Sequence, residues 1–311
     1  MNLLNFSEHF PDEASCIALF KEHREQEGVV CHHCGSTTHY WQSSRLQYEC
    51  KKCHARQSLR SGTVMHRSHL PFRYWFIVMH LLTSTKKSFS AKEVQRQLGH
   101  KRYEPIWEMM HKIRLAMGKR DEKYTLEGEL ELDEGFFSTE MEESKKKEPL
   151  KRGRGSQKKS KVLVMAESAK VASYKPNEKP RKVRYIKMIV IPDLKADTIT
   201  PIVQANASSQ SKIDSDDSTS YVKLSKIVAE HHPEVIAKKE IGIKLPWVHI
   251  AISNAKRQIL SMFHDIKPQY LQLYLNEFCY KFNRRYFGES CFDRLLIACV
   301  KTDTDFRILN G

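Results

Sequence analysis

The sequence predicts a mixed α/β protein with about two folded units, and three observations support this prediction. The chain has 311 residues, more than the ~100–200 residues of a typical domain. Two Cys-x-x-Cys pairs near the N terminus indicate a small unit stabilised by a metal. Helical periodicity between Pro71 and Met117 is followed by the strand-like alternation of Glu127–Glu134. We therefore expect a small N-terminal module, a helical segment and a larger domain that contains a sheet.

The composition favours a polyanionic partner. Lys and Arg number 52 against 37 Asp and Glu, a formal net charge of +15. This excess is typical of proteins that bind nucleic acid, although a merely soluble basic protein also shows it. The longest strongly apolar stretch, Tyr74–Leu82, is far shorter than the ~20 residues of a spanning helix. Residues 1–8 lack the features of a secretory signal, so we expect the protein to stay inside the cell.

The two cysteine pairs have the spacing of a zinc ribbon, because fifteen residues separate them. The predicted Zn²⁺ ligands are Cys31, Cys34, Cys50 and Cys53. Segments 38–41 and 46–49 are expected to form a hairpin between the pairs. Three nearby histidines are alternative ligands, although four cysteines already complete the site: His32, His33 and His54. A redox dithiol is the competing interpretation of either pair alone. Together with a helix that opens near Pro11, the ribbon forms a predicted unit of residues 1–70.

Residues 71–122 have the layout of a helix-turn-helix DNA reader. The predicted apolar stripe of the first helix consists of Phe72, Trp75, Phe76 and Met79. Ser90 is the expected N-cap of a helix over 91–98, which Gly99 ends. A second helix runs from about Glu104 to Met117, and the cations around it are Lys101, Arg102, Lys112 and Arg114. A helical hairpin that only packs is the alternative interpretation, and we expect Arg102 to contact DNA.

Acidic residues cluster twice after residue 125. Glu127–Glu134 alternates polar and apolar residues, so Glu131 and Asp133 share one face of a strand. Further strands are predicted over 161–166 and 184–191, and a second acidic cluster lies within 212–221. Carboxylates from separate strands can together bind hard divalent cations. Solvated turn residues are the alternative interpretation, which suits Asp214, Asp217 and Glu134 better than Asp133 and Asp216.

Four motifs together resemble those of insertion-sequence transposases with an Asp-Asp-Glu or Asp-Asp-Asn triad. They are Leu130–Glu134 with its following aromatic pair, Asp216 five residues before Tyr221, Trp247–Asn254 and Tyr274–Arg285. The zinc ribbon and the helical segment are typical of the same group, so the resemblance spans nearly the whole chain. It implies a ribonuclease-H-like domain over residues 123–290, with a mixed sheet flanked by helices, and a helical tail over 291–311.

The resemblance also implies a function and its residues. It implies a DNA transposase that acts on terminal inverted repeats and target DNA, uses Mg²⁺ or Mn²⁺, oligomerises on DNA and occupies the bacterial cytoplasm and nucleoid. Carried over by position, the ligands of these ions are Asp133, Asp216 and Asn254, with 254 − 216 = 38 between the last two. His249 either orients a nucleophile or phosphate or makes a structural hydrogen bond. Glu277 is a fallback ligand, with a salt bridge as its alternative role.

Two other functions are weighed against this one. An amide offers a metal only a neutral oxygen, so Asn254 favours a catalytically silent, sequence-specific DNA-binding protein derived from a transposase. A zinc-ribbon subunit of the transcription machinery is the third interpretation, and it assigns no function to the residues after 125.

Cations for the DNA backbone are concentrated in a predicted basic arm over residues 145–161, with nine Lys or Arg and one acid, Glu148. A solvated loop or a nuclear-import tract would have the same composition. The predicted phosphate contacts of the arm and of the later helix are Lys151, Arg152, Arg154, Lys158, Lys159, Lys256 and Arg257. Arg284 and Arg285 are further candidates.

Overall fold

The computed structural model describes residues 1–141, 149, 153, 156–172, 180–237, 240 and 243–303. The chain divides into two units, one of residues 1–120 with the described residues from Tyr286 onward, and one of Asp121–Arg285. Within the described ranges, no helix combines the length and the apolar character needed to cross a lipid bilayer.

The first unit contains a small antiparallel sheet of three short strands: β1 His39–Gln42, β2 Gln47–Cys50 and β3 Arg56–Ser58. The predicted hairpin of β1 and β2 is confirmed. Strand β3 follows the second cysteine pair and returns along β2, with Arg56 opposite Glu49. The sequence did not predict β3, because three residues are too few to show an alternating pattern.

The helices of this unit are α1 Leu3–His9, α2 Glu13–Gln26, α3 Phe72–Ser84, α4 Ala91–Leu98, α5 Glu104–Asp121, whose last residue belongs to the second unit, and α9 Ser290–Lys301. The predicted boundaries of α4 are confirmed. The Ser90 hydroxyl accepts a hydrogen bond from the Glu93 amide at 3.1 Å, and Gly99 ends the helix with a φ of 62°. The side chains of the predicted α3 stripe are buried.

Helix α5, the second helix of the predicted helix-turn-helix, differs from the expectation. Lys112 and Arg114 are 4% and 2% exposed, so neither forms part of a cationic surface. Lys112 pairs with Glu108 at 2.8 Å and donates to the His66 carbonyl oxygen. The sequence interpretation was wrong for these two cations, because α5 buries residues on most of its circumference and no single polar face remains. Arg102 precedes α5 and is exposed.

The second unit contains a mixed sheet with the strand order β6-β5-β4-β7-β8. Its strands are β4 Glu129–Ser138, β5 Lys159–Lys170, β6 Arg181–Ile191, β7 Lys212–Asp216 and β8 Glu230–Glu234. Strands β4, β5 and β6 are antiparallel neighbours, whereas β7 runs parallel to β4 and β8 parallel to β7. The predicted ribonuclease-H-like mixed sheet flanked by helices is confirmed.

Helices cover both faces of this sheet: α6 Ala196–Asn206, α7 Pro246–Leu260 and α8 Leu271–Asn283. Helices α7 and α8 share one apolar core with β5 and β6, whereas α6 packs with Leu130 and Leu132 of β4 in another. Because β5 is covered on both faces, Val162–Ala166 is a continuous run of fully buried residues. The two faces of β4 consequently meet different helices, which determines the surroundings of its acidic residues.

A buried ion pair closes the second unit near its two ends. Arg284 Nη1 lies 2.6 Å from Asp121 Oδ1, and the guanidinium stacks 3.7 Å from the centre of the Tyr280 ring. Asn283 donates to the Asp121 carboxylate at 3.2 Å and exchanges hydrogen bonds with the backbone of Ile186. Arg284 is 3% exposed. The interpretation of Arg284 as a phosphate contact was therefore wrong, because its charge is used inside the protein.

Replacing Asp121 by alanine is expected to lower the free energy of unfolding by about 3–5 kcal/mol, because it leaves the Arg284 guanidinium buried without its carboxylate. Urea denaturation followed by circular dichroism measures this change. The matched control is Asp197→Ala, which removes the partner of Lys223 in an exposed ion pair and should change stability little. Equal effects of the two substitutions would contradict the prediction.

Candidate metal centres

The four predicted cysteines of the ribbon come together in one cluster. Their four Sγ atoms all lie within 4.8 Å of one another. The Sγ atoms of Cys31 and Cys53 are 3.6 Å apart, as are those of Cys34 and Cys50. A tetrahedral ion with 2.3 Å zinc–sulfur bonds separates its sulfurs by about 3.8 Å. The cluster therefore fits a closed structural zinc site, in agreement with the expected zinc ribbon.

Two similar turns build this cluster. The amide of Gly35 donates to the Cys31 carbonyl oxygen at 2.9 Å, and the amide of His54 donates to that of Cys50 at 3.0 Å. Gly35 and His54 both have positive φ angles, 72° and 56°. The backbone amides of Cys53 and Lys52 lower the pKa of the Cys50 thiol to about 6. A lowered pKa favours the thiolate, which is the form that binds zinc.

The second candidate centre lies where two parallel strands run side by side. Leu132 of β4 pairs with Ser215 of β7, and one residue further along each strand come Asp133 and Asp216. The structure thus brings together the two aspartates that the sequence separated by more than eighty residues. Glu134 joins them, and one carboxylate oxygen of each of the three lies within 4.8 Å of the others.

Glu134 enters this cluster from the opposite face of β4. Successive residues of a strand alternate between faces, so Glu134 lies on the side of α6 and the fully buried Tyr221. Burial raises the pKa of the Tyr221 hydroxyl well above its usual value, and the nearby Glu134, Asp133 and Asp216 carboxylates raise it further. The expectation of a solvated turn residue was wrong for Glu134, which is 7% exposed and belongs to a strand.

Helix α7 supplies the side chains on the other side of Asp133. His249 Nδ1 lies 3.4 Å from Asp133 Oδ2, and burial lowers the pKa of His249. Burial also lowers the pKa of Lys256, the neighbouring Lys159 adds to this effect, and Asp133 opposes it. Lys256 of α7, a predicted DNA contact, is therefore close enough to both Asp133 and Lys159, a second predicted contact, to interact electrostatically with each.

Asn254 occupies a different part of α7. It is exposed, and its position five residues after His249 corresponds to a rotation of about 140° around a helix. His249 of α7 contacts Asp133, whereas Asn254 lies on the same side as the exposed Ile250 and Arg257. The sequence spacing alone did not distinguish these two sides of the helix.

The start of α7 is held by a residue that sequence analysis did not assign to the site. Glu131 Oε2 accepts hydrogen bonds from the backbone amides of Trp247 at 2.7 Å and Val248 at 2.9 Å. Glu131 is 7% exposed and precedes Asp133 by two residues on the same face of β4. The sequence did indicate that Glu131 and Asp133 share a face of the strand. It did not indicate the hydrogen-bond partners of Glu131, which lie 116 and 117 residues away.

The remaining predicted cations fall into two groups. Lys159 begins β5 and Lys158 precedes it, and both are exposed, as is Arg257 on α7. The predicted arm residues Lys151, Arg152 and Arg154 lie outside the described residues. Glu277, the fallback metal ligand, is 1% exposed and forms an ion pair with Lys281 at 3.4 Å, the alternative role that its helix suggested.

A ribonuclease-H-like sheet with clustered carboxylates on adjoining strands defines the class of nucleases and transposases that share this fold. Two family profiles identify the group more closely: the ISXO2-like transposase domain matches residues 125–283, and the transposase zinc-ribbon domain matches residues 11–56. No curated protein matches the chain. The chain belongs to the ISXO2-like transposase family, and the resemblance found in its motifs is confirmed.

Proposed function

We propose that this protein is a DNA transposase that cleaves and joins DNA strands at the ends of its insertion sequence in a metal-dependent reaction. The observation that carries the proposal is the convergence of Asp133, Glu134 and Asp216, whose carboxylate oxygens lie within 4.8 Å of one another. Like charges so close together repel one another, and a bound cation relieves that repulsion. Membership of a transposase family supports the same reaction.

The donor set favours Mg²⁺ or Mn²⁺, because both prefer carboxylate oxygens. Asp133 and Asp216 would hold the ions, with Glu134 beside them. Asn254 stays a prediction from the family resemblance, since its amide offers only a neutral oxygen and lies on another side of α7 from His249. The zinc of the ribbon has a separate, structural role, because four thiolates complete its coordination.

When bound, two such ions activate water or a DNA 3′-hydroxyl and stabilise the leaving oxygen in displacement at phosphorus. The chain's own residues would bind and orient the DNA. Burial lowers the pKa of His249 and so favours its neutral form, in which one ring nitrogen can accept a hydrogen bond from the attacking hydroxyl. Lys256, which interacts electrostatically with both Lys159 and Asp133, would bind phosphate oxygens next to the cleaved bond together with Lys159.

The proposed substrates are the terminal inverted repeats of the element and its target DNA. The proposed backbone contacts are Arg102, Lys151, Arg152, Arg154, Lys158, Lys159, Lys256 and Arg257. Joining requires two DNA ends in one complex, so we expect copies of the chain to assemble on DNA. A protein of this function acts where the chromosome is, which is the nucleoid in a bacterial cytoplasm.

A second candidate function is a catalytically silent DNA-binding protein, and Asn254 favours it. A glutamate would give the ions a third charged ligand at this position, whereas asparagine gives none. The carboxylate cluster favours the enzyme, because a protein that only binds DNA has no use for three converging acids.

The test incubates the purified full-length protein with duplexes that carry the element's ends, in Mg²⁺, in Mn²⁺ and in excess chelator. We expect nicks at the end of the element and products joined to a second duplex, both dependent on the metal. A duplex with scrambled ends is the matched control and should remain uncut. Tight binding of the end duplex without nicking in either metal would overturn the enzyme in favour of the silent binder.

A further inference from the structure

Helix α7 begins without a capping side chain of its own. Leu245 occupies the N-cap position and makes no side-chain hydrogen bond, and Pro246 starts the helix. The first amides of a helix have no partner within it and must be satisfied from elsewhere. Proline lacks an amide hydrogen, so Trp247 and Val248 carry the first amides of α7 that need acceptors. Both donate to one oxygen of Glu131.

This contact is strong for physical reasons. The carboxylate is 7% exposed, so water competes little for its hydrogen bonds. A negative charge at the N terminus of a helix also interacts favourably with the helix dipole. Oε2 of Glu131 accepts both amides, at 2.7 and 2.9 Å. These two hydrogen bonds hold the first turn of α7 against β4.

The same face of β4 carries the candidate site. Glu131, Asp133 and Gly135 follow one another at intervals of two residues and lie under α7. A Cβ atom at Gly135 would lie 2.8 Å from the Phe137 ring of the same strand and 3.6 Å from Ile252 Cγ1 of α7, so glycine leaves room for the Phe137 ring on this face of β4. His249, one residue after the second capped amide, contacts Asp133 at 3.4 Å.

We propose that Glu131 is a positioning residue that fixes the N terminus of α7 on β4, so that His249 and Lys256 are held against Asp133. Its effect on the reaction rests on the proposed function, whereas its effect on the helix does not. The three carboxylates that converge are those of Asp133, Glu134 and Asp216, and Glu131 lies outside this cluster. One strand thus supplies both a metal ligand and the anchor of the helix that faces it.

The test compares Glu131→Gln and Glu131→Ala with the wild-type chain. The glutamine carbonyl oxygen can still accept both amides, so Glu131→Gln should keep most of the function, whereas alanine removes the acceptor. For Glu131→Ala we expect kcat for end cleavage to fall by about 100-fold, since a displacement of about 1 Å costs this much. The Kd for Mn²⁺ should stay unchanged, because Asp133 and Asp216 keep their places on the paired strands β4 and β7.

A readout independent of activity is hydrogen exchange measured by mass spectrometry. Peptides that cover 246–252 should exchange faster in Glu131→Ala than in wild type, and peptides from β5 should not. The matched control is Glu167→Ala on β5, which removes another buried carboxylate that accepts a backbone amide, that of Glu127 at 3.1 Å. It should leave exchange at 246–252 and kcat unchanged.

Two results would overturn the proposal: unchanged exchange at 246–252 in Glu131→Ala, or equal losses of kcat in Glu131→Ala and Glu167→Ala. Should Glu131→Ala fail to fold, Glu131→Gln is the deciding variant. If kcat of Glu131→Gln fell as far as kcat of a variant that lacks a metal ligand, this result would also contradict a positioning role. If the wild-type chain cuts no DNA, the proposed function fails, whereas the exchange experiment still tests the helix anchor.

Discussion

Asp133→Ala is expected to lower the rate of DNA end cleavage at least about 1,000-fold, because a metal-held reaction centre contributes several kcal/mol of transition-state stabilisation. Asp133 lies at the centre of the candidate site, within 4.8 Å of the Glu134 and Asp216 oxygens and 3.4 Å from His249. The rate of nicking of an end duplex under single-turnover conditions measures the loss. Isothermal titration with Mn²⁺ should show weakened metal binding in the same variant.

The matched control is Asp214→Ala. Asp214 is an exposed acid two residues before Asp216 on the same strand, where it pairs with His232 at 3.1 Å. Asp214→Ala removes one negative charge, as Asp133→Ala does, but leaves the carboxylate cluster intact. Cleavage should therefore continue near the wild-type rate. DNA affinity should be retained in both variants. If Asp133→Ala cleaved DNA as fast as Asp214→Ala, this result would contradict the assignment of Asp133 to the catalytic site.

Patterns that depend on neighbouring residues were predictable from the sequence. The cysteine spacing predicted the ribbon because each Cys-x-x-Cys pair forms its own turn. Ser90 predicted the start of α4 because an N-cap acts on an amide three residues away. Asp133 and Asp216 were recognised through motifs that resemble a family. The clustering of the two carboxylates then followed from the register of β4 and β7, which neither local sequence contains.

What the sequence did not predict depends on contacts between distant residues. Arg284 was interpreted as a phosphate contact, but a carboxylate 163 positions earlier, that of Asp121, neutralises it in the interior. A charge is exposed by default in sequence analysis, and only packing reveals a buried partner. Glu131 and Asn254 show the same limit, because neither the acceptor role of the first nor the helix side of the second has a local signal.

Removing zinc is expected to unfold the ribbon. Sheet β1–β3 contains eleven residues in strands of four, four and three, too few for a core of its own, so the metal supplies the folding free energy. In zinc-finger peptides this contribution is roughly 10–16 kcal/mol. Cys50→Ser is the corresponding substitution, because Cys50 ends β2 and is one of the four clustered thiols.

Metal analysis of the purified variant should find a loss of the zinc that the wild-type chain carries. Amides of β1 and β2 should then lose their protection from hydrogen exchange, whereas β4 and β5 should keep theirs, because these strands belong to the other unit. Cys299→Ala is the matched control, since it removes a buried thiol of α9 in the same unit as the ribbon and should leave the zinc content unchanged. Protected β1 and β2 amides in a zinc-free Cys50→Ser protein would mean that packing, and not the metal, holds the ribbon together.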